Sequence, residues 1–234
     1  VNGRFPTSKG DLALLASARQ KWPYHLVMHR FRAIILVSSC LASCVVPSQP
    51  EDVWHDLLTE QAIAHWQPSE FGISGREEIS PHAIRLSMGN PFTGVTWDGQ
   101  GLSTERYELE VVARKVMGND FFCGVTFPVG PAFCTLVSGG WGGSITGLSS
   151  IDGKDASENA TRTFQRYDIG ADYTFRIRVE DHQVQAWVNN KLIVQQPRAG
   201  TEFSVRFEVE PSIPLGIACY NTEAFISACR IRSL

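Results

Sequence analysis

The constraint that most narrows the fold is an alternation of apolar and polar residues with period two. In Tyr173-Thr174-Phe175-Arg176-Ile177-Arg178-Val179-Glu180, the Tyr, Phe, Ile and Val share one face and the polar residues the other. Phe203–Glu210 repeats the pattern, and Tyr107–Val111 follows it less cleanly. Such alternation predicts half-buried antiparallel strands, because successive side chains of a strand point to opposite faces. Turn chemistry agrees. Asn189-Asn190 separates the strands predicted at 183–188 and 191–195, and Asn tolerates the positive φ of a two-residue hairpin turn. Asp98-Gly99 and Asp152-Gly153 are further turns, and Pro211 and Pro214 bracket a break before a strand at Leu215–Tyr220. A last strand is expected at Phe225–Arg232, with Phe225, Ala228 and Ile231 as its apolar positions. A short helix is expected near Val53–His65, and no long amphipathic stretch appears elsewhere. The expected class is all-β, a sandwich or jelly roll.

Charge divides the chain. Net charge is −3 over 234 residues, yet residues 1–43 carry six basic residues and only one acid, Asp11. Residues 44–234 therefore hold 15 basic and 23 acidic residues. A domain of that balance repels phosphate backbones, so no nucleic-acid partner is expected. No apolar run reaches the roughly 18 residues that would span a bilayer.

The basic part reads as an address. Met28-His29-Arg30-Phe31-Arg32 is followed by the apolar run 33–40 and by Leu41-Ala42-Ser43-Cys44. Basic residues, an apolar core and a small-residue site are the parts of a secretory signal. The last four residues resemble the bacterial lipoprotein box, whose Cys is acylated. The resemblance implies a signal peptide over 28–43, lipidation at Cys44, export to the bacterial envelope, and a membrane contact made through the lipid anchor only. Residues 1–27 are then expected to be an over-extended start, 44–51 a Pro/Ser/Gln linker, and 52–234 the folded domain.

Three blocks carry a further resemblance. They are Trp54-His55-Asp56-Leu57-Leu58 through His65-Trp66, the hairpin Val184–Val194, and the ending Pro214–Ala218 through Cys229–Leu234. In that order they resemble the concanavalin A-like domains of the 3-keto-disaccharide hydrolase family. The resemblance implies a jelly-roll sandwich over about 52–234 and a glycoside hydrolase-like action on a glycan or sugar glycoside. Family members carry an Asn-Ser-Gly strand followed by Arg, and a later strand with Glu and Gln ahead of an Asp. Here the corresponding stretch reads Asn119-Asp120-Phe121-Phe122-Cys123-Gly124, so neither pattern is present and no catalytic residue is placed. A non-catalytic lectin-like or protein-binding module, or a structural envelope protein, stays open beside the hydrolase.

Candidate site residues come from the middle of the chain. Four glycines surround Trp141 in Gly139-Gly140-Trp141-Gly142-Gly143, which suits an exposed ring presented to the C–H face of a sugar, or a core plug at a bend. Asp152, Asp155, Glu158 and Asn159 share one stretch and suit sugar hydroxyls, or equally a solvated loop with Asx turns. Calcium is the one cation their oxygens would suit; no other metal or cofactor is expected, since Cys and His spacing fits no zinc site. Glu108, Glu110, Arg176, Arg178, Arg206, Glu208 and Glu210 would line one sheet face if their strands adjoin, either as a source of paired carboxylates or as cross-strand salt bridges. Trp187 reads as core. Cys123 and Cys134 are symmetric about Pro128-Val129, the middle of a predicted hairpin loop, so they either face each other and pair or stay free as buried thiols; the pairing of Cys219 and Cys229 is equally open.

Overall fold

A computed structural model describes residues 53–234, which form two antiparallel β-sheets packed face to face. The segments expected to be a signal peptide, a linker and an over-extended start, with Cys44, lie outside the described residues. In chain order the strands are β1 His55–Asp56, β2 Trp66–Pro68, β3 Glu77–Ser80, β4 Ala83–Leu86 and β5 Phe92–Trp97. Then come β6 Tyr107–Gly118, β7 Cys123–Val129, β8 Ala132–Gly139, β9 Ile145–Ser149 and β10 Thr163–Phe164. The last five are β11 Asp172–Val179, β12 Gln183–Val188, β13 Lys191–Pro197, β14 Leu215–Tyr220 and β15 Thr222–Ser233. One sheet runs β13-β12-β11-β6-β15-β4-β3, with β1 beside β15; the other runs β10-β9-β8-β7-β14-β5-β2. The all-β sandwich expected from the alternation is the observed fold.

The core lies between the sheets. Leu109, Val111, Phe175, Ile177 and Ile226 face it from one side, and Val125, Phe127, Leu136, Leu148 and Ile217 from the other. Removing these side chains from water is the main stabilising term, about 25 cal/mol per Å² of apolar surface. Two large polar side chains inside are hydrogen-bonded: the Tyr107 hydroxyl donates to Pro128 O at 2.6 Å, and Trp66 Nε1–H donates to Leu57 O at 2.8 Å.

Several local expectations hold. Asn189 and Asn190 turn at φ 47° and 67° between β12 and β13. Asp152 and Gly153 turn at φ 51° and 73°. The short helix near the start of the domain is a single 3₁₀ turn, Ala62–His65.

Four expectations are corrected. Phe203–Glu210 is not a strand: it leaves Ile151 after one bridge at Phe203 and enters a 3₁₀ segment, Phe207–Ser212. Its alternation is imitated by Arg206 and Glu208 facing inward to a cavity while Phe207 is 77% exposed. The hairpin β7-β8 turns at Gly130-Pro131, so Cys134 faces Phe127 and Cys123 faces Ser138. All four cysteines of the domain are free and buried, and burial pushes the Cys134 and Cys219 thiols up to about 12. In β15 a bulge between Ile226 and Ala228 shifts the phase, so Ala224, Ile226, Cys229 and Ile231 are the inward residues. Trp187 is not core; it stands on the outer face of its sheet, with the Arg176 guanidinium 4.7 Å from its ring centre.

That outer face also settles the interleaved charges. The Glu108 side chain is wholly buried between Arg178, at 2.6 Å, and Arg232; Glu110 pairs with Arg230 at 2.7 Å, and Asp172 with Arg114 at 2.6 Å. Arg230 and Arg232 in turn stack on Trp54. These acids are held by cations on neighbouring strands and are cross-strand ties, not a catalytic pair. Glu108→Ala removes the buried carboxylate and its charge-assisted hydrogen bonds, while Arg178 keeps Glu180 at 3.8 Å and both arginines keep an indole face. It should destabilise the fold by about 1.5–3 kcal/mol in urea titration, whereas a face of idle charges would lose less than about 1 kcal/mol.

Candidate functional site

Several outward positions of the seven-stranded sheet are glycine or alanine. They include Gly94 of β5, Gly124 of β7, Gly147 of β9, and Gly216 and Ala218 of β14. An isolated glycine in a strand marks a close approach by something else. At Gly216 an added Cβ would sit 2.6 Å from Ser212, and at Gly94 2.8 Å from the Phe71 ring. Chain segments thus lie directly on the sheet and wall off the part between them.

The result is a cavity of about 380 Å³ whose floor is Gly124, Thr126, Thr135 and Ala218. The two threonine hydroxyls are hydrogen-bonded to each other at 2.8 Å. Phe92, Phe121 and Tyr220 form one wall as a packed aromatic group, with Phe121 and Tyr220 stacked at 5.8 Å and Phe71 stacked on Phe92 at 5.1 Å. Opposite stand Arg206, Glu208 and Val209. Ser149 also lines the cavity; its hydroxyl is buried and has no hydrogen-bond partner among the described residues.

Trp141 completes the rim and is 39% exposed. It sits at φ 51°, inside a run of left-handed residues with Gly139, Gly142 and Gly143 at 79°, 83° and 97°. Left-handed backbone is strained for a bulky residue and free for glycine, so the glycines carry the turn and Trp141 bears the remaining strain. Asp120 clamps this loop: its Oδ2 accepts Gly142 N–H at 3.0 Å and its Oδ1 accepts Phe121 N–H at 2.8 Å. Beneath the loop, Lys115 is buried, which pushes its ammonium below the usual lysine range against the pull of Asp120. The ring is therefore displayed by a built loop and does not plug the core.

The remaining sequence candidates take supporting places. Asp155 accepts from Ser157 N–H and Oγ and pairs with Arg206 at 2.9 Å, so it steadies the guanidinium at the cavity rim from behind. Arg206 also pairs with Glu208 at 2.8 Å, and this contact holds the Glu208 carboxyl below the usual carboxylate range. Asn159 is buried; its amide donates to Leu148 O, Lys154 O and Asp155 O, and its oxygen accepts from Thr161. It is a brace for the chain and not a sugar contact. Asp152 accepts Glu202 N–H at 2.8 Å in its turn, and Glu158 is exposed; neither lines the cavity. Among the described residues no three His, Cys, Asp or Glu side chains converge as a cation site requires.

Comparison with known proteins places the fold. No family model and no curated protein matches the chain. Solved structures do. The Crh5 transglycosylase superposes with a TM-score of 0.52 at 10% identity, over 77% of this chain and 83% of its own. The carbohydrate recognition domain of Emp46p, in its metal-free form, superposes with a TM-score of 0.51 at 13% identity, over 76% and 95%. At such identities the likeness is one of fold: an all-β jelly-roll sandwich.

Proposed function

We propose that this domain binds a glycan in the walled cavity of its seven-stranded sheet and does not cleave it. The observation that carries the reading is Trp141, an indole held out at the rim by a strained loop and clamped there by Asp120. Strain is retained where the surroundings over-determine it, commonly at ligand sites. An aromatic ring offers a flat apolar surface to sugar C–H groups, while the Ser149 hydroxyl, Thr126, Thr135 and the rim charges offer partners for sugar hydroxyls. A concave, mostly apolar pocket with a few convergent polar groups is the usual form of a small-ligand site. That the fold's neighbours include a carbohydrate recognition domain supports the reading.

Cleavage needs more than binding. A glycosidase sets a protonated carboxylic acid and an ionised carboxylate across the scissile bond. The cavity has two carboxylates, Asp120 and Glu208. Glu208 is held low by Arg206, which disfavours the proton that a general acid must carry. Both oxygens of Asp120 are taken by backbone N–H groups. The glycoside-hydrolase reading suggested by the 3-keto-disaccharide hydrolase resemblance rests on these two acids sharing one cavity. Sugar release that disappears in Asp120→Asn would put it ahead of binding alone.

Trp141→Ala should weaken glycan-array binding by about tenfold or more, the equivalent of roughly 1.4 kcal/mol, with an unchanged melting temperature. Unchanged binding in this variant would remove the cavity rim from recognition. The same proposal includes the lipid anchor: the domain works outside the cytoplasm of a bacterium, tethered at Cys44. Mass analysis of the mature protein should find an acylated chain beginning at Cys44. A chain still carrying residues 28–43 would refute export by this route.

A further inference from the structure

Resting on the glycan reading, we infer that the cavity takes the end of a glycan chain and excludes internal stretches. A groove that grips the middle of a polysaccharide must be open at both ends, because the chain has to enter and leave. Here each direction across the sheet is obstructed. Toward β5, the Phe71 ring lies where a Cβ on Gly94 would be, at 2.8 Å. Toward β9, the Thr161 backbone and hydroxyl oxygens come to 3.0 Å from the same point on Gly147, and Thr161 is fixed there by Asn159 and by Leu148 N–H. Along the strands, the segment Phe207–Ser212 crosses β14 and β5, with Ser212 against Gly216 and Thr96 Oγ1 donating to Pro211 O at 2.6 Å. Beyond that segment lies a separate cavity, lined by Gln67, Thr96, Trp97 and Pro214, so the crossing divides the sheet face in two. On the fourth side stand Phe121 and the Trp141 loop.

Four walls and a closed floor leave the outward mouth as the way in. One terminal sugar fits through it, and the next unit then leaves past Trp141 at the rim. The volume of about 380 Å³ is at the small end of the range for ligand pockets, roughly 300–1,000 Å³. The rim cation is already neutralised, since Arg206 holds both Asp155 and Glu208, so the favoured ligand is an uncharged glycan.

Isothermal titration of the full chain tests this with two kinds of probe. The first is a set of linear malto-, cello-, xylo- and laminari-oligosaccharides from di- to hexasaccharide. The second is the ring-closed counterparts of the malto series, α-, β- and γ-cyclodextrin, which have no ends. End recognition gives one protein per chain at every length, a Kd that stays within about threefold beyond the trisaccharide, and no binding of rings. A ring bound as tightly as its linear counterpart, or more than one protein on the longer chains, would overturn the inference and leave glycan binding standing. Silence across both sets would overturn the inference and the glycan reading together.

Discussion

The architecture of the site depends on how close a chain segment can come to a β-sheet. Side chains normally hold covering segments away from the backbone plane. Where Gly94, Gly147 and Gly216 interrupt the outward row, Phe71, Thr161 and Ser212 settle directly on the sheet. Any side chain larger than hydrogen would have to displace a ring or a stretch of backbone. The cavity is what remains between these contacts, and its floor is itself made of small residues. The two faces of the sandwich have diverged accordingly. The eight-stranded sheet is closed by Glu–Arg pairs and by arginines lying on Trp54 and Trp187, whereas the seven-stranded sheet is built to be approached.

The fold was largely legible in the sequence because period-two alternation and turn residues are local signals. β11, the Asn189-Asn190 turn and β14 stand where the alternation and the turn chemistry put them. Two failures have a common cause. Phe203–Glu210 alternates as a strand does, but here the alternation separates a cavity rim from solvent instead of a core from solvent. The spacing of Cys123 and Cys134 centres the predicted hairpin on Pro128-Val129, yet both residues sit within β7 and the turn falls on Gly130, at φ 62°. Local pattern does not identify what covers a face, and that is decided by pairing across the chain.

The site was legible only in part. Trp141 was marked by its glycines, and those glycines do carry the left-handed turn. The acidic loop was marked by composition, which could not tell a ligand from a brace: Asp155 backs Arg206, and Asn159 holds Thr161. Phe92, Phe121, Ser149 and Tyr220 escape notice because they come from distant parts of the chain, and the alternation puts Arg206 and Glu208 on a sheet face instead of at a cavity. One signal was available. Glycines inside strands otherwise rich in β-formers announce that something lies close to the backbone there: Gly124 lines the cavity, and Gly94, Gly147 and Gly216 carry the segments that flank it.

The chain has six tryptophans, and their indole N–H resonances in the 15N-labelled protein can be followed separately by NMR. Titrating a bound oligosaccharide should move the Trp141 indole signal and leave those of Trp54 and Trp187, on the opposite sheet, in place. Movement at Trp54 or Trp187 with Trp141 unmoved would contradict the assignment of the walled cavity as the binding site.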